Sequence, residues 1–273
     1  MKLTKVYSKL KYLKLFNPRY FISLVQRVSN LEKEVIKIEA LKRDFDHFVL
    51  MPDKFWLEKC KEERMDALIN DNAYMPQSRR EFHLSRYKFA SKYVKNKLVA
   101  DVACGTGYGT RVLLEDGEAL KCIGVDIDEK AILYARKKHC TRGSEFIHSS
   151  AENLPFKTES FDAIISFETL EHVIDDSKLI NEFNRILKPN GLLIISTPNQ
   201  WPLSIAKFHT KEYDLQEFQN ILRTKFEIRK MYNQNSGDVK RKYNHMQPKG
   251  IVETTSENKS LAECFLAICE KKE

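Results

Sequence analysis

The sequence has no apolar run long enough to cross a membrane. Among its 273 residues there is no stretch of eighteen consecutive apolar side chains, the length from which a spanning helix is considered. Lysines are spread through the first sixteen residues and interrupt the apolar segments there, unlike the continuous apolar core of a secretory signal. We therefore expect no transmembrane helix and no secretory leader.

Cysteine pairs with metal-binding or redox spacing are also absent. The chain has six cysteines, and no two of them form a C-x-x-C arrangement, which excludes the common zinc and dithiol motifs. Several lie inside apolar segments that read as strands. They are interpreted as reduced, small core residues of a cytoplasmic protein.

Acidic residues are missing from residues 1–31, which hold seven of the eight net positive charges. The rest of the chain is nearly neutral, whereas a nucleic-acid enzyme is expected to have a basic catalytic domain. The charge pattern therefore points away from nucleic acid and towards an anionic surface. Residues 1–16 also have apolar side chains at helical spacing, which fits an amphipathic helix at a membrane surface or, alternatively, a solvated terminus.

Residues 18–51 show apolar side chains in steps of three and four, and Pro52 ends the pattern. A helix of this length is about 50 Å long, and its narrow apolar stripe favours a coiled coil with a second copy of the chain. Packing of the stripe against the C-terminal part of the chain is the alternative. The predicted segments are a basic tail at 1–17, a coiled-coil helix at 18–51, a helical cap at 52–96 and an α/β domain at 97–273.

Glycine is scarce, with nine residues in all, and three of them alternate in one turn: Gly105, Gly107 and Gly109. The turn lacks both the G-x-G-x-x-G spacing of dinucleotide sites and the Gly-Lys-Ser/Thr of phosphate loops. It follows an apolar strand at 98–102 and precedes a helix-like run at 110–114. A strand, a glycine-rich turn and a helix start together predict a nucleotide-type binding corner, because a ligand can approach the backbone and its free N–H groups.

From this turn onwards, strand and helix patterns alternate. This alternation predicts a doubly wound, mostly parallel sheet with ligands at the carboxyl ends of its strands. A polar loop at 233–259 separates the last two strands. Helices are predicted at 110–115, 129–138, 177–187 and 213–224. The seven predicted strands lie at 98–103, 121–126, 145–148, 161–167, 191–197, 226–232 and 262–270.

Four stretches carry a resemblance to a known family. In chain order they are Asp101-Val-Ala-Cys-Gly-Thr-Gly107, Gly124-Val-Asp-Ile-Asp128, Ser149-Ser-Ala-Glu-Asn-Leu-Pro-Phe156 and Phe167-Glu-Thr-Leu-Glu-His-Val173. Together they resemble the class I, Rossmann-like methyltransferases that depend on S-adenosylmethionine. The resemblance spans about residues 72–270 and implies a seven-stranded sheet that ends in an antiparallel hairpin, with S-adenosyl-L-methionine as cofactor.

The resemblance also implies the residues that hold the methyl donor. Asp101 would help to hold the amino group of its methionine part, and Asp126 would accept hydrogen bonds from both ribose hydroxyls, whereas Asp128 fits a helix cap better. Ser150 replaces the aspartate that is usual in the third stretch, so a hydrogen-bond acceptor remains without its charge. In the preceding cap, His83, Arg86 and Tyr87 either contact the ligand or pack within the helices that cover it. The predicted cofactor-binding residues are Tyr87, Asp101, Ala103, Gly105, Gly107, Asp126, Ile127, Ala151, Glu152 and Phe167.

The fourth stretch supplies the predicted catalytic residues. Its Glu-x-x-Glu-His form resembles methyltransferases of the ubiquinone O-methyltransferase type and those of sugar and polysaccharide biosynthesis. His172 is the first candidate to remove a proton from a hydroxyl acceptor, oriented by Glu168 or Glu171, although it equally fits a histidine that packs against the next helix. His209, in Lys207-Phe-His-Thr-Lys-Glu-Tyr213, is the second candidate base. Two acids and one histidine are too weak a signal for a metal site, and none is predicted.

The sequence therefore predicts a cytoplasmic O-methyltransferase that acts on a sugar hydroxyl of a surface polysaccharide or glycolipid. The basic tail and the coiled coil imply a homo-oligomer bound peripherally to the inner face of an anionic membrane. A small aromatic or quinone-type hydroxyl is the alternative acceptor, and an RNA methyltransferase is less favoured. A scaffold that has lost the donor is disfavoured by the intact Asp101, Gly105, Gly107 and Asp126.

Overall fold

The structure is a computed structural model that describes residues 27, 30, 31, 66–68, 77–200, 208–235, 250–259 and 262–272. The chain divides into two units, Met1–Trp56 and Leu57–Glu273, and the architecture below concerns the second. The predicted basic tail, nearly all of the predicted coiled coil and most of the cap before residue 77 lie outside the described residues. In the described part, no helix is long and apolar enough to span a membrane.

Helices and strands alternate from residue 98 onwards, as the sequence predicts. The helices are α1 (Gln77–Ala90), α2 (Tyr108–Glu115), α3 (Glu129–Lys138), α4 (Asp176–Ile186) and α5 (Leu215–Arg223). The strands are β1 (Leu98–Val102), β2 (Lys121–Asp126), β3 (Ser144–His148), β4 (Phe161–Phe167), β5 (Leu187–Pro198), β6 (Phe226–Asn235), β7 (Gly250–Glu253) and β8 (Cys264–Lys271).

The strands form one sheet in the order β3-β2-β1-β4-β5-β8-β6-β7. The first five pair in parallel, whereas β8, β6 and β7 add antiparallel pairs at one side. Strand order reverses between β1 and β4, and a crevice opens at the carboxyl ends at such a switch point. Asp101 pairs with Gly124 on one side and with Ile165 on the other. The turns after β1, β2 and β4 therefore leave the sheet side by side.

The predicted fold class is confirmed, and the described residues form one strand more than the seven predicted. The extra strand, β7, pairs with the end of β6, from Tyr232 opposite Glu253 to Asn235 opposite Gly250. The sequence analysis assigned this stretch to a polar loop at 233–259, which is wrong for β7 and for the last residues of β6. The strand is short, lies at the edge of the sheet and is half-exposed, so it has almost no hydrophobic pattern to reveal it.

Helices cover both faces of the sheet. The apolar side chains of α4 and α5, such as Phe183 and Phe218, belong to the larger buried cluster on one face. The opposite face packs against α1 and α2 through residues such as Tyr87 and Leu113. A small separate cluster joins α3 to β3 through Cys104, Ile132, Ala135 and Phe146. The core therefore fixes α1 beside the turn that follows β1.

Candidate active site

The carboxylate of Asp101 lies in a fully buried hydrogen-bond network near the end of β1. Thr110 donates its hydroxyl to Asp101 Oδ2 at 2.6 Å, and Tyr87 donates its hydroxyl to Oδ1 at 3.1 Å. Burial raises the pKa of Asp101 to about 7, although both hydrogen bonds act in the opposite direction. The network ties the end of α1 to the first turn of α2, and thus encloses the glycine-rich turn.

The Tyr87 ring lies against this turn, where it occupies the space that a side chain at position 109 would need. A Cβ at Gly109 would overlap the Tyr87 ring. The ring also packs edge-on against Tyr108 and Phe167, with centroids 5.3 and 5.0 Å away. Tyr87 thus packs over the turn and against Phe167, and its predicted contact with the cofactor stays a prediction.

The glycines of the turn have different roles. Gly107 has a φ of 84°, and a Cβ there would lie 2.6 Å from Ala135 Cβ and 2.7 Å from Phe146. Its missing side chain makes room for the core around α3, and the approach of a ligand to its backbone stays a prediction. Gly105 also has a positive φ, 55°, and donates its N–H to Asp126 Oδ2 at 2.8 Å. Ala103 is left-handed as well, with a φ of 62°, which is uncommon for a residue with a side chain.

Asp126 ends β2 and is only 2% exposed. Besides Gly105, the N–H of Asp128 donates to this carboxylate, to Oδ1 at 2.9 Å. A carboxylate oxygen can accept more than one hydrogen bond, and the binding of the two ribose hydroxyls by Asp126 stays a prediction. The next residue, Ile127, is 62% exposed, and an exposed apolar side chain at this position suits an adenine ring.

The third predicted stretch follows β3 and lies beside Asp126. Ser149 donates its N–H to the backbone carbonyl of Asp126 at 3.0 Å. Ser150 Oγ accepts the N–H of Glu152 at 3.2 Å, so the serine hydroxyl closes the turn. Glu152 in turn accepts the N–H of Asp175 just before α4 at 3.1 Å, and Ala151 packs against the larger core cluster. The role of this stretch at the adenine remains a prediction.

Glu168 follows β4 and forms a partly buried ion pair with α1. Its Oε1 lies 2.7 Å from Arg86 Nη1, and the Arg86 side chain is only 1% exposed. Burial alone would lower the pKa of Arg86, but the Glu168 carboxylate more than offsets this effect and raises it. Arg86 also contacts Ser196 Oγ at 3.3 Å and His83 Nδ1 at 2.9 Å. Glu168 was predicted to orient His172 or act in catalysis, whereas in the structure it neutralises Arg86.

Glu171 lies deeper than Glu168. It is 1% exposed, and its Oε2 accepts the Thr197 hydroxyl at 3.2 Å. Its Oε1 has no hydrogen-bond partner among the described residues. Burial raises the pKa of Glu171 well above its usual value, and the neighbouring Glu168 adds to this effect.

His172 and His209 lie side by side, with ring centroids 4.8 Å apart and ring planes nearly perpendicular. His172 Nδ1 lies 3.1 Å from the carbonyl oxygen of Phe208, and His209 Nδ1 lies 2.7 Å from Glu212 Oε1. Because carbonyl and carboxylate oxygens only accept, both Nδ1 atoms act as donors, and the lone pair of each neutral ring is on Nε2. The structure thus unites the two histidines that the sequence analysis named as separate candidate bases.

Known structures share this architecture. A methyltransferase from Thermotoga maritima, titled a possible histamine N-methyltransferase, has a TM-score of 0.57 at 23% identity, over 76% of this chain and 96% of that one. The [4+2]-cyclase SpnF has a TM-score of 0.53 at 18% identity, over 71% of this chain and 81% of that one. At this identity the likeness establishes the fold alone, because one fold hosts different reactions.

The sequence comparison adds a likeness for the middle of the chain. Residues 100–195 match the family model described as a methyltransferase domain. This part of the chain is therefore similar to methyltransferase domains. A probable S-adenosylmethionine-dependent methyltransferase from Mycolicibacterium smegmatis is 30% identical over 132 residues, which cover 46% of this chain and 50% of that protein. A phthiotriol/phenolphthiotriol dimycocerosates methyltransferase from Mycobacterium leprae is 32% identical over 113 residues, 41% of this chain and 42% of that protein. The chain thus spans about half the length, or less, of these two curated relatives.

Two features of the candidate site escaped the sequence analysis. The Arg86–Glu168 ion pair was missed as a pair, although both residues were named. Thr197, the hydroxyl partner of Glu171, was given no role at the site, although it ends the predicted fifth strand. A polar residue at the carboxyl end of an otherwise apolar strand is the signal that would have found Thr197.

Proposed function

We propose that the protein transfers a methyl group from S-adenosylmethionine to a hydroxyl oxygen, and that this hydroxyl belongs to a sugar of a polysaccharide or glycolipid. The observation that carries the proposal is the oriented pair of histidines beyond the carboxyl end of β4. That end is adjacent to the turn after β1, where the donor corner lies. A hydroxyl acceptor needs a group that removes its proton, and an oriented imidazole suits that task.

The donor half of the site fits the cofactor that the family implies. Asp126 offers acceptor oxygens at the end of β2, Ile127 exposes an apolar side chain beside it, and the left-handed turn at Ala103 and Gly105 presents backbone next to both. When bound, the cofactor supplies a methyl group activated by its sulfonium sulfur. Asp126 then binds the ribose. Asp101, whose carboxylate is oriented by the Tyr87 and Thr110 hydroxyls, helps to bind the amino group of the methionine part.

The acceptor half centres on His172, whose side chain is 28% exposed. A group with this exposure is reachable by an acceptor from solvent, and its Nε2 carries the basic lone pair. The hydrogen bond to the Phe208 carbonyl orients the His172 ring before the reaction, so less orientational entropy is lost at the transition state. His172 thus takes the proton of the acceptor hydroxyl, and His209 packs against it on the side of Glu212.

Exposed apolar side chains flank the two histidines along the chain. Ile174 is 92% exposed and Phe208 is 41% exposed, an unusual level for large apolar residues. They suit an acceptor whose sugar is attached to an apolar group, such as a glycolipid. The Mycobacterium leprae relative, whose name gives dimycocerosates as its substrate, supports a lipid-linked acceptor, and a quinone-type hydroxyl is the second candidate for the same apolar rim.

A methyl-transfer screen tests the acceptor class. The full chain is incubated with donor labelled in the methyl group and with separate glycolipid, polysaccharide, quinone and RNA fractions. We expect label in the glycolipid or polysaccharide fraction, and the His172→Ala variant should lower the rate about 100-fold or more, the usual contribution of a general base, while it still binds the donor. Label in the RNA fraction alone, or in a protein-bound nitrogen, would contradict the proposal.

The N-terminal segments extend the proposal, and their support comes from the sequence alone. We infer that residues 18–51 join copies of the chain and that the lysines of residues 1–17 hold the assembly on the inner face of an anionic membrane, because several weak tails bind with avidity. Without residues 1–50 the protein is expected to be a monomer by light scattering that still binds the donor. The full chain should bind vesicles of acidic lipid at low salt only. An unchanged oligomeric mass, or equal binding to neutral vesicles, would disprove the respective part.

A further inference from the structure

We propose that Glu171, His172 and His209 form a binding site for one divalent transition-metal ion. One ligand atom from each of the three lies within 4.8 Å of the other two. A carboxylate and two imidazoles are the donor set of catalytic zinc sites that keep an open position. The sequence analysis predicted no metal, because it counted only the acids and the single histidine of the fourth stretch.

The convergence of these residues is fixed by backbone hydrogen bonds. The carbonyl oxygen of Glu171 accepts the N–H of Thr210 at 2.7 Å and its hydroxyl at 3.1 Å. The single proton of this hydroxyl is shared with the closer carbonyl of Val173, at 2.6 Å. The segment with His209 is therefore attached directly to the segment with Glu171 and His172, which holds the donor set together before an ion binds.

Both imidazoles are oriented as metal-bound histidines usually are. A ligating histidine typically donates its other ring N–H to a carbonyl or carboxylate oxygen, which fixes the tautomer and the ring plane. The Phe208 carbonyl does this for His172, and the Glu212 carboxylate does it for His209. In both rings the lone pair is consequently on Nε2, which is the coordinating atom in the proposed site.

Glu171 supplies an independent observation. Its Oε1 is buried, lies 4.0 Å from His172 Nε2 and has no hydrogen-bond partner among the described residues. A buried carboxylate oxygen without a partner is costly, because the desolvation of the charge is not compensated. A cation between Oε1 and the two imidazoles would provide that compensation.

The ligating side-chain atoms narrow the choice of metal ion. Imidazole ligands suit Zn²⁺, Fe²⁺ and similar ions, and a carboxylate adds Mn²⁺, whereas Mg²⁺ prefers an all-oxygen octahedral shell. Three protein ligands leave coordination positions for an acceptor oxygen. We therefore expect Zn²⁺, Mn²⁺ or Fe²⁺ in preference to Mg²⁺.

The role of the ion rests on the proposed function. Without the ion, His172 takes the proton of the acceptor hydroxyl as proposed above. With the ion bound, His172 would be a ligand, and a hydroxyl on the ion would lose its proton more readily. The proton passes to water, the alkoxide oxygen forms a bond to the methyl carbon, and the carbon–sulfur bond breaks with its electron pair left on sulfur. The products are the methyl ether, the neutral thioether of the spent donor and one proton.

Metal binding is tested on the full chain without any turnover. After treatment with a chelator and its removal, the protein is titrated with Zn²⁺ by calorimetry and with Co²⁺ by visible absorption. We expect one ion per chain and the absorption bands of Co²⁺ bound to nitrogen and oxygen. Glu171→Gln and His209→Ala should each weaken binding about 100-fold, and Glu212→Gln about 10-fold, the effect typical of an outer hydrogen bond.

His148→Ala is the matched control. His148 is an exposed histidine on β3 whose ring forms a hydrogen bond with the Ile127 carbonyl, and it is not one of the three proposed ligands. It should leave the metal affinity unchanged. Circular dichroism confirms that each variant is folded. No binding by the parent protein, equal binding by the Glu171 and His209 variants, or a preference for Mg²⁺ would overturn the site. Donor binding is measured separately, so metal binding without donor binding would overturn the proposed function alone.

Discussion

Replacement of Asp126 by alanine is expected to lower the affinity for S-adenosylmethionine at least about 100-fold. The carboxylate would lose two hydrogen bonds to ribose hydroxyls, and hydrogen bonds to a charged group contribute about 1.5–3 kcal/mol each. The variant also frees the N–H of Gly105, which Asp126 now holds at 2.8 Å, and so loosens the turn after β1. Isothermal titration calorimetry of parent and variant measures the ratio directly.

Asp128→Ala is the control for this prediction, because Asp128 stands two positions away and carries the same charge. Its side chain accepts the N–H of Lys130 and caps α3, as the sequence analysis expected of it. Loss of such a cap costs about 1 kcal/mol of stability, but it should change the donor affinity less than about threefold. If both variants bind the donor equally well, Asp126 is not the ribose ligand.

Replacement of Glu168 by glutamine is expected to lower the free energy of unfolding by about 3 kcal/mol. Arg86 is 1% exposed and its charge is neutralised by Glu168 at 2.7 Å. Removal of one partner leaves a buried charge without compensation, which typically costs about 3–5 kcal/mol. Urea denaturation followed by circular dichroism measures the change.

Two further variants make this second prediction specific. Glu115→Gln breaks an ion pair with Arg111 in which both side chains are well exposed, so it should cost less than about 1 kcal/mol. The double variant Arg86→Met, Glu168→Gln removes the buried charge as well and should recover much of the lost stability. Equal costs for the Glu168 and Glu115 variants would show that the buried pair does not stabilise α1 against the sheet.

Much of the fold follows from local sequence. β2, α3 and β4 begin and end where the pattern predicts, at Lys121–Asp126, Glu129–Lys138 and Phe161–Phe167. Parallel strands buried on both faces are continuous apolar runs, and such runs are easy to delimit. β5 begins at Leu187 rather than at residue 191, because Leu187 pairs with Phe161 before a register shift. A sequence pattern does not reveal such a shift.

The candidate site was predictable in its parts but not in its contacts. Asp126 and Glu171 stand in local motifs next to predicted strands, so their positions at the carboxyl edge followed from the pattern. The meeting of His209 with His172 depends on the hydrogen bonds of Thr210 to another segment, which leave no local trace. The pairing of Arg86 with Glu168 likewise depends on how α1 packs.

The glycine-rich turn shows the same limit. Its glycines were interpreted as openings for a ligand, yet Gly107 accommodates Ala135 and Phe146, and Gly109 accommodates Tyr87. The sequence shows where a glycine is required. Tertiary packing determines which neighbouring residue fills the space that its missing side chain leaves. Such glycines shape the turn, and the N–H of Gly105 donates to the Asp126 carboxylate.

The central claim is that the corner formed by the turn after β1 and by Asp126 binds the methyl donor. The most direct measurement is a calorimetric titration of the purified full chain with S-adenosylmethionine, repeated with its demethylated product. We expect saturable binding of both compounds at one site per chain. Asp126→Ala should weaken the binding of each compound at least about 100-fold, as the hydrogen-bond energies given above imply. Absence of saturable binding to a folded parent protein would contradict it.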